Sequence, residues 1–113
     1  MLIDDFSGQD LTSKLGTQWR GVSDKVMGGI SEASVAQGVI DDRPCLLLTG
    51  DVRLENDGGF IQAALDLVMS GGTFDASAFA GVRLVVRGND ERYSVHLRTP
   101  KNIRPWQSYR AHF

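Results

Sequence analysis

Hydrophobic and polar residues alternate with a period of two over the last third of the chain. Val82, Leu84 and Val86 interleave with Arg83, Val85 and Arg87. Tyr93, Val95 and Leu97 interleave with Ser94, His96 and Arg98, and Tyr109, Ala111 and Phe113 with Ser108, Arg110 and His112. A period of two sets each class of side chain on its own face of an extended strand. Gly88-Asn89-Asp90-Glu91 is turn chemistry. The pattern therefore predicts an antiparallel hairpin of 82–86 with 93–97. Pro100 and Pro105 bracket a loop, and a third strand follows over 109–113.

Earlier segments repeat the theme with weaker contrast. Arg53 to Phe60 reads as a second hairpin turning at Asn56-Asp57-Gly58-Gly59. Val39–Asp42 and Pro44–Thr49 read as another strand pair, and Trp19–Ser23 as a strand. Over Ile61–Met69 the residues Ile61, Ala63, Leu65 and Leu67 fit one strand face. Ala, Leu and Met also suit a helix, and we predict strand. Phe74 to Phe79 reads as a turn or single helical turn with Asp75 as its N-cap. Thirteen glycines punctuate the chain, with pairs at Gly28-Gly29, Gly58-Gly59 and Gly71-Gly72. Paired glycines supply positive φ or a close backbone approach. Eight or nine short strands and no long helix predict an all-β, antiparallel β-sandwich, a single domain over 1–113.

Composition narrows the possibilities. The 113 residues, 42% of them hydrophobic, suit one domain. No apolar run approaches the ~20 residues of a membrane-spanning helix. The start, MLIDDFSGQD, shows no secretory signal pattern, so a cytoplasmic location is expected. The one cysteine, Cys45, lies in the run Cys45-Leu46-Leu47-Leu48 and reads as a buried structural thiol. The net charge of −2 argues against nucleic acid. The charge is uneven, because residues 1–66 carry eleven acids and five bases, and residues 67–113 three acids and seven bases. Either the two halves complement each other, or the basic part forms a face for an anionic partner.

Candidate chemistry is sparse. Asp24 could ligate a cation, but its place before a Met-Gly-Gly bend suits a carboxylate accepting backbone N–H bonds in its own turn. Met27 reads as a core filler. Trp19 reads as core, while Trp106, beside Pro105, suits core or stacking on a sugar ring equally. Only His96 and His112 are available as imidazoles, and no nucleophile elbow, zinc signature or phosphate-binding loop appears. A catalytic set, a metal site and a cofactor are therefore not expected. If the apolar alternates of the late strands face inward, Arg83, Arg87, Ser94, His96, Arg98, Ser108, Arg110 and His112 share the opposite face. That face is either simply solvated or a binding face for an anionic protein or glycan, since arginine suits bidentate carboxylate recognition.

Two segments together carry a family signature. One is Trp19-Arg20-Gly21-Val22-Ser23-Asp24-Lys25-Val26-Met27-Gly28-Gly29-Ile30-Ser31. The other is Gly50-Asp51-Val52-Arg53-Leu54-Glu55-Asn56-Asp57-Gly58-Gly59-Phe60. A third block runs from Phe79 to Leu84, then Gly88, then Tyr93 to Thr99. Together they resemble the complex I intermediate-associated protein 30 family. The resemblance spans essentially the whole chain. It implies a galactose-binding-domain-like jelly roll, a non-catalytic role as an assembly factor, and Trp19, Ser23, Asp24, Met27, Gly28, Gly29, Glu55, Asn56, Gly58, Gly59 and Phe60 as structural motif positions. The family often has an arginine shortly after Gly-Gly-Phe, where this chain reads Ile61-Gln62-Ala63-Ala64. The family also continues past the final strand, so an open sheet edge is expected at Phe113, favouring self-association. Three functions are weighed: a protein-interaction module, a carbohydrate-binding module by analogy of fold, and a small hydrolase using a histidine. The first is expected.

Overall fold

The computed structural model describes every residue except Ser70, Gly71, Ile103, Pro105 and Trp106, and all side chains but theirs and those of Met69 and Thr73. The expectations for Trp106, Pro105 and Gly71 fall outside the described residues. Eight strands occur among the described residues: β1 (Arg20–Ser23), β2 (Glu32–Ile40), β3 (Arg43–Asp51), β4 (Ile61–Ala64), β5 (Val68–Met69), β6 (Gly72–Thr73), β7 (Ser94–Leu97) and β8 (Tyr109–His112). Short 3-10 turns lie at Asp24–Met27 and Glu55–Asp57. The chain is all-β and every ladder is antiparallel: β1 with β4, β2 with β3, β5 with β6, and β7 with β8. Contacts divide it into two compact units, Met1–Ala78 and Phe79–Phe113.

In the first unit the longest ladder is the β2–β3 hairpin, which starts earlier than the sequence suggests. Ala33, Val35 and Gln37 are half-buried and alternate with exposed Glu32, Ser34 and Ala36. The turn is Asp41-Asp42, with φ of 51° and 61°. Two successive positive φ values make the mirror-image turn whose twist matches that of the flanking strands. Ile40 faces Arg43 across it. In such a hairpin the pair flanking the turn exchanges both hydrogen bonds, and the next pair, Val39 and Pro44, exchanges none. Pro44 thus sits where the ladder needs no N–H from it.

Strand β1 runs antiparallel to β4, with Ser23 opposite Ile61 and Arg20 opposite Ala64. A Cβ on Gly21 would touch the Ala33 and Ser34 backbone, which places β1 alongside β2. The N-terminal segment is laced on by Lys14 N–H to Ile3 O, Trp19 N–H to Leu11 O and Gln37 Nε2 to Gly8 O. Ile61–Met69 is strand, as predicted, but broken into β4 and β5. Asp75 Oδ1 accepts the Ser77 N–H at 2.9 Å, so the residue closes the expected turn.

Two hairpin expectations are corrected. Glu55–Asp57 is a 3-10 turn, and Arg53-Leu54 does not pair with Gly59-Phe60. Val82–Val86 makes no ladder; β7 pairs with β8, with Ser94 opposite His112 and Leu97 opposite Tyr109. The ladder's hydrogen bonds continue through Tyr93 and Phe113, whose rings stack with centroids 6.0 Å apart. Val82 and Leu84 nevertheless line one groove of about 280 Å³ with Val95, Leu97, Tyr109 and Ala111. The pairing partner of β7 is therefore β8 and not Val82–Val86.

Burial is also unlike the expectation. The buried side chains among the described residues are polar: Ser13, Ser23, Asp24 and Ser31, the last two completely so. No described hydrophobic side chain reaches that depth. Cys45 and Trp19 are half-buried, and Met27, expected in a core, is exposed.

Candidate functional site

The carboxylate of Asp24 has no exposure to solvent, and neither has Ser31. Asp24 lies in the 3-10 turn that follows β1, whose N-cap, Ser23 Oγ, accepts the Lys25 N–H at 3.2 Å. Asp24 Oδ1 accepts the Ser31 N–H at 2.9 Å. Oδ2 accepts the Ser31 hydroxyl and the Gly59 N–H at 2.5 Å each, and the Phe60 N–H at 3.3 Å. The Ser31 oxygen in turn accepts the Arg53 N–H at 2.8 Å. One carboxylate therefore ties the 19–31 motif to the 50–60 motif. The sequence reading had Asp24 satisfied by its own turn; its partners are instead seven to thirty-six positions away in sequence.

The glycine pairs divide the labour around it. Gly28, at φ 89°, and Gly59, at φ 135°, supply the left-handed backbone. Gly29 and Gly58 supply space: a Cβ on either would overlap the Asp24 carboxylate. Asn56, itself left-handed at φ 59°, donates from Nδ2 to Gly28 O at 3.2 Å and locks the two turns together. Glu55 pairs with Arg53 at 2.7 Å. Burial pushes the Asp24 carboxyl upward. The bonds from the Ser31 hydroxyl, the Gly59 amide, the Ser31 amide and the Phe60 amide outweigh it and hold the group below the ordinary 3.8. Asp24 thus remains a carboxylate saturated by protein donors, a fastening for two loops.

The motif's apolar residues point the other way. Val26 is 72% exposed, Met27 60% and Leu54 77%, all on the two turns that Asp24 holds together. Trp19, from the same motif, faces inward over Phe6 at 6.0 Å and donates from Nε1 to Asp4 at 2.9 Å.

In the second unit, β7 and β8 bring part of the basic set together. Ser94 stands opposite His112 and His96 opposite Arg110, so these four share one face. Ser94 Oγ lies 2.7 Å from His112 Nδ1, and Ser108 Oγ 3.3 Å from His96 Nδ1. The Arg98 guanidinium bends onto the following loop and donates to Asn102 O and Arg104 O. Arg83 and Arg87 lie on the segment that makes no ladder. Period-two counting would put Arg92, two residues before Ser94, on the same side.

A family model described as complex I intermediate-associated protein 30 matches residues 5–113. The chain belongs to the complex I intermediate-associated protein 30 family. No curated protein and no solved structure matches it significantly. Within this family member, the two motif segments that carry the resemblance are the two that meet at Asp24. No helix among the described residues is long and apolar enough to cross a membrane.

Proposed function

We propose that this chain is a non-catalytic interaction module that acts in the assembly of respiratory complex I, holding a protein partner in a chaperone-like manner. The family match supports the assembly role. One observation carries the mode of action. The family motif uses its polar residues internally, on Asp24, and turns Val26, Met27 and Leu54 outward on rigid turns. A segment built only for folding would do the reverse. Exposed apolar side chains on a pre-organised support are the anchors of protein interfaces, because little ordering entropy is lost on binding. A jelly-roll topology and a cytoplasmic location complete the reading.

The test is genetic and biochemical. Deleting the gene in its host should lower assembled complex I on native gels, and the wild-type chain should restore it. A Val26→Ser, Met27→Ser, Leu54→Ser variant should keep its melting temperature, since these side chains are already in water. It should fail to restore assembly. Normal assembly in the deletion strain, or full rescue by the triple variant, would sink the respective halves of the reading.

A further inference from the structure

We propose that the polar face of the β7–β8 ribbon binds an extended, carboxylate-rich segment of a protein partner. This deepens the interaction reading above and rests on it. Residues 79–113 hold seven Lys and Arg against two acids, and residues 1–78 five against twelve. Asp90 and Glu91, the two acids of the second unit, precede β7, Asp90 in a bend, and neither lies within β7 or β8. The face itself carries Arg110, His96 and His112 on paired strands, and period-two counting puts Arg92, two residues before Ser94, on the same side.

The geometry selects an extended ligand. Arg110 and His112 are two residues apart on one strand, so their bases lie roughly 6.5 Å apart. An extended peptide carries every second side chain on one side with the same spacing, so alternating glutamates match the ribbon step for step. The serines orient the imidazoles: each holds its histidine at Nδ1. With the serine donating, Nε2 carries the hydrogen and can donate to a carboxylate. The other alternates of the ribbon, Val95, Leu97, Tyr109 and Ala111, line a groove to which Arg110 also contributes. A nucleic acid fits worse. A long polyanion meets the net charge of −2 of the chain as a whole, whereas a short segment needs only the few bases of the ribbon.

The probe is a fluorescein-labelled peptide of alternating Glu and Ser, about twelve residues long, titrated against the full chain. Binding is expected to weaken roughly tenfold between low and physiological salt. It should fall by at least about tenfold in Arg92→Glu, Arg110→Glu. Amide shifts in the wild-type protein on peptide addition should centre on Ser94, His96, Arg110 and His112, a readout that needs no variant to fold. A block peptide with all glutamates contiguous should bind more weakly. Shifts centred elsewhere, equal binding by the charge-reversed variant, or tighter binding by a single-stranded oligonucleotide would overturn the proposal. A failed titration with an intact deletion phenotype removes this site alone. A normal deletion strain removes the assembly role and leaves the peptide result to stand.

Discussion

At the scale of single residues, Asp24 and its ring of donors set the behaviour. Ser31→Ala removes a buried hydroxyl that bonds both Asp24 and the Arg53 N–H. Leaving those groups unpaired should cost about 1–3 kcal/mol, read as a fall in denaturant midpoint. Asp24→Asn should cost more, because an amide nitrogen would meet donors that all point inward. The pH dependence has a definite sign. The folded carboxyl sits below 3.8, so its stabilisation is complete above that value and is lost as pH falls through the lower, folded value. Asp5, Asp10, Glu55 and Asp75 are also lowered, by a Ser7 hydroxyl, a Thr12 amide, Arg53 and a Ser77 amide respectively. These carboxylates are exposed and contribute little. Asp24→Asn should therefore flatten the fall in stability below about pH 4, as measured by urea melts across that range. A parallel slope in wild type and variant would assign the acid sensitivity elsewhere. Gly29→Ala and Gly58→Ala should be costlier than Gly28→Ala, which strains φ but meets no neighbour within 4 Å. The cost of Gly29→Ala should shrink when Asp24 is already alanine, which a double-mutant cycle measures.

At the scale of elements, the β2–β3 turn offers the cleanest gain. Asp41 and Asp42 both hold positive φ, a conformation that Asn-Gly adopts with less strain. Asp41→Asn with Asp42→Gly should stabilise the chain by roughly 0.5–1 kcal/mol, visible as a rise of a few degrees in Tm. No change, or a fall, would mean that the aspartates hold the turn through other contacts. That turn also marks where the sequence ceased to be legible. Asp-Asp is a poor turn signature, so Asp41 and Asp42 read as strand, and Glu32–Gln37, with Ala and Gln on its inner side, read as nothing. Of the segments with strong period-two contrast, those at β7 and β8 were legible as strands. Their partners were not, because alternation fixes which face turns inward and leaves the neighbour open. Val82–Val86 and β7 share an apolar groove without sharing a ladder. The Gly-Gly pairs were legible as conformational necessities, and Gly28 and Gly59 have the expected positive φ. That Gly58 makes room for the Asp24 carboxylate was not, since those two residues lie thirty-four positions apart in sequence.

At the scale of the whole molecule, the buried side chains among the described residues are polar, and the large apolar side chains described are half-buried or exposed. Apolar surface raises the heat capacity of unfolding and polar surface lowers it. The isolated chain should therefore unfold with a ΔCp below the roughly 12–15 cal/mol/K per residue of ordinary domains, and with a shallow denaturant dependence. Hydrogen exchange should be slowest at the Ser31 and Gly59 amides and along β2–β3, where the carboxylate and the longest ladder act together. A partner that covers Val26, Met27 and Leu54 would add a negative ΔCp on binding. Calorimetry at several pH values gives the unfolding ΔCp directly. A value in the ordinary range would show that these side chains leave water in solution. Sedimentation at the same concentrations then separates the causes. Concentration-dependent mass would assign the burial to a second copy meeting an open strand edge. Constant monomer mass would assign it to closure within one chain, and the case for Val26, Met27 and Leu54 as a standing contact surface would fall with it.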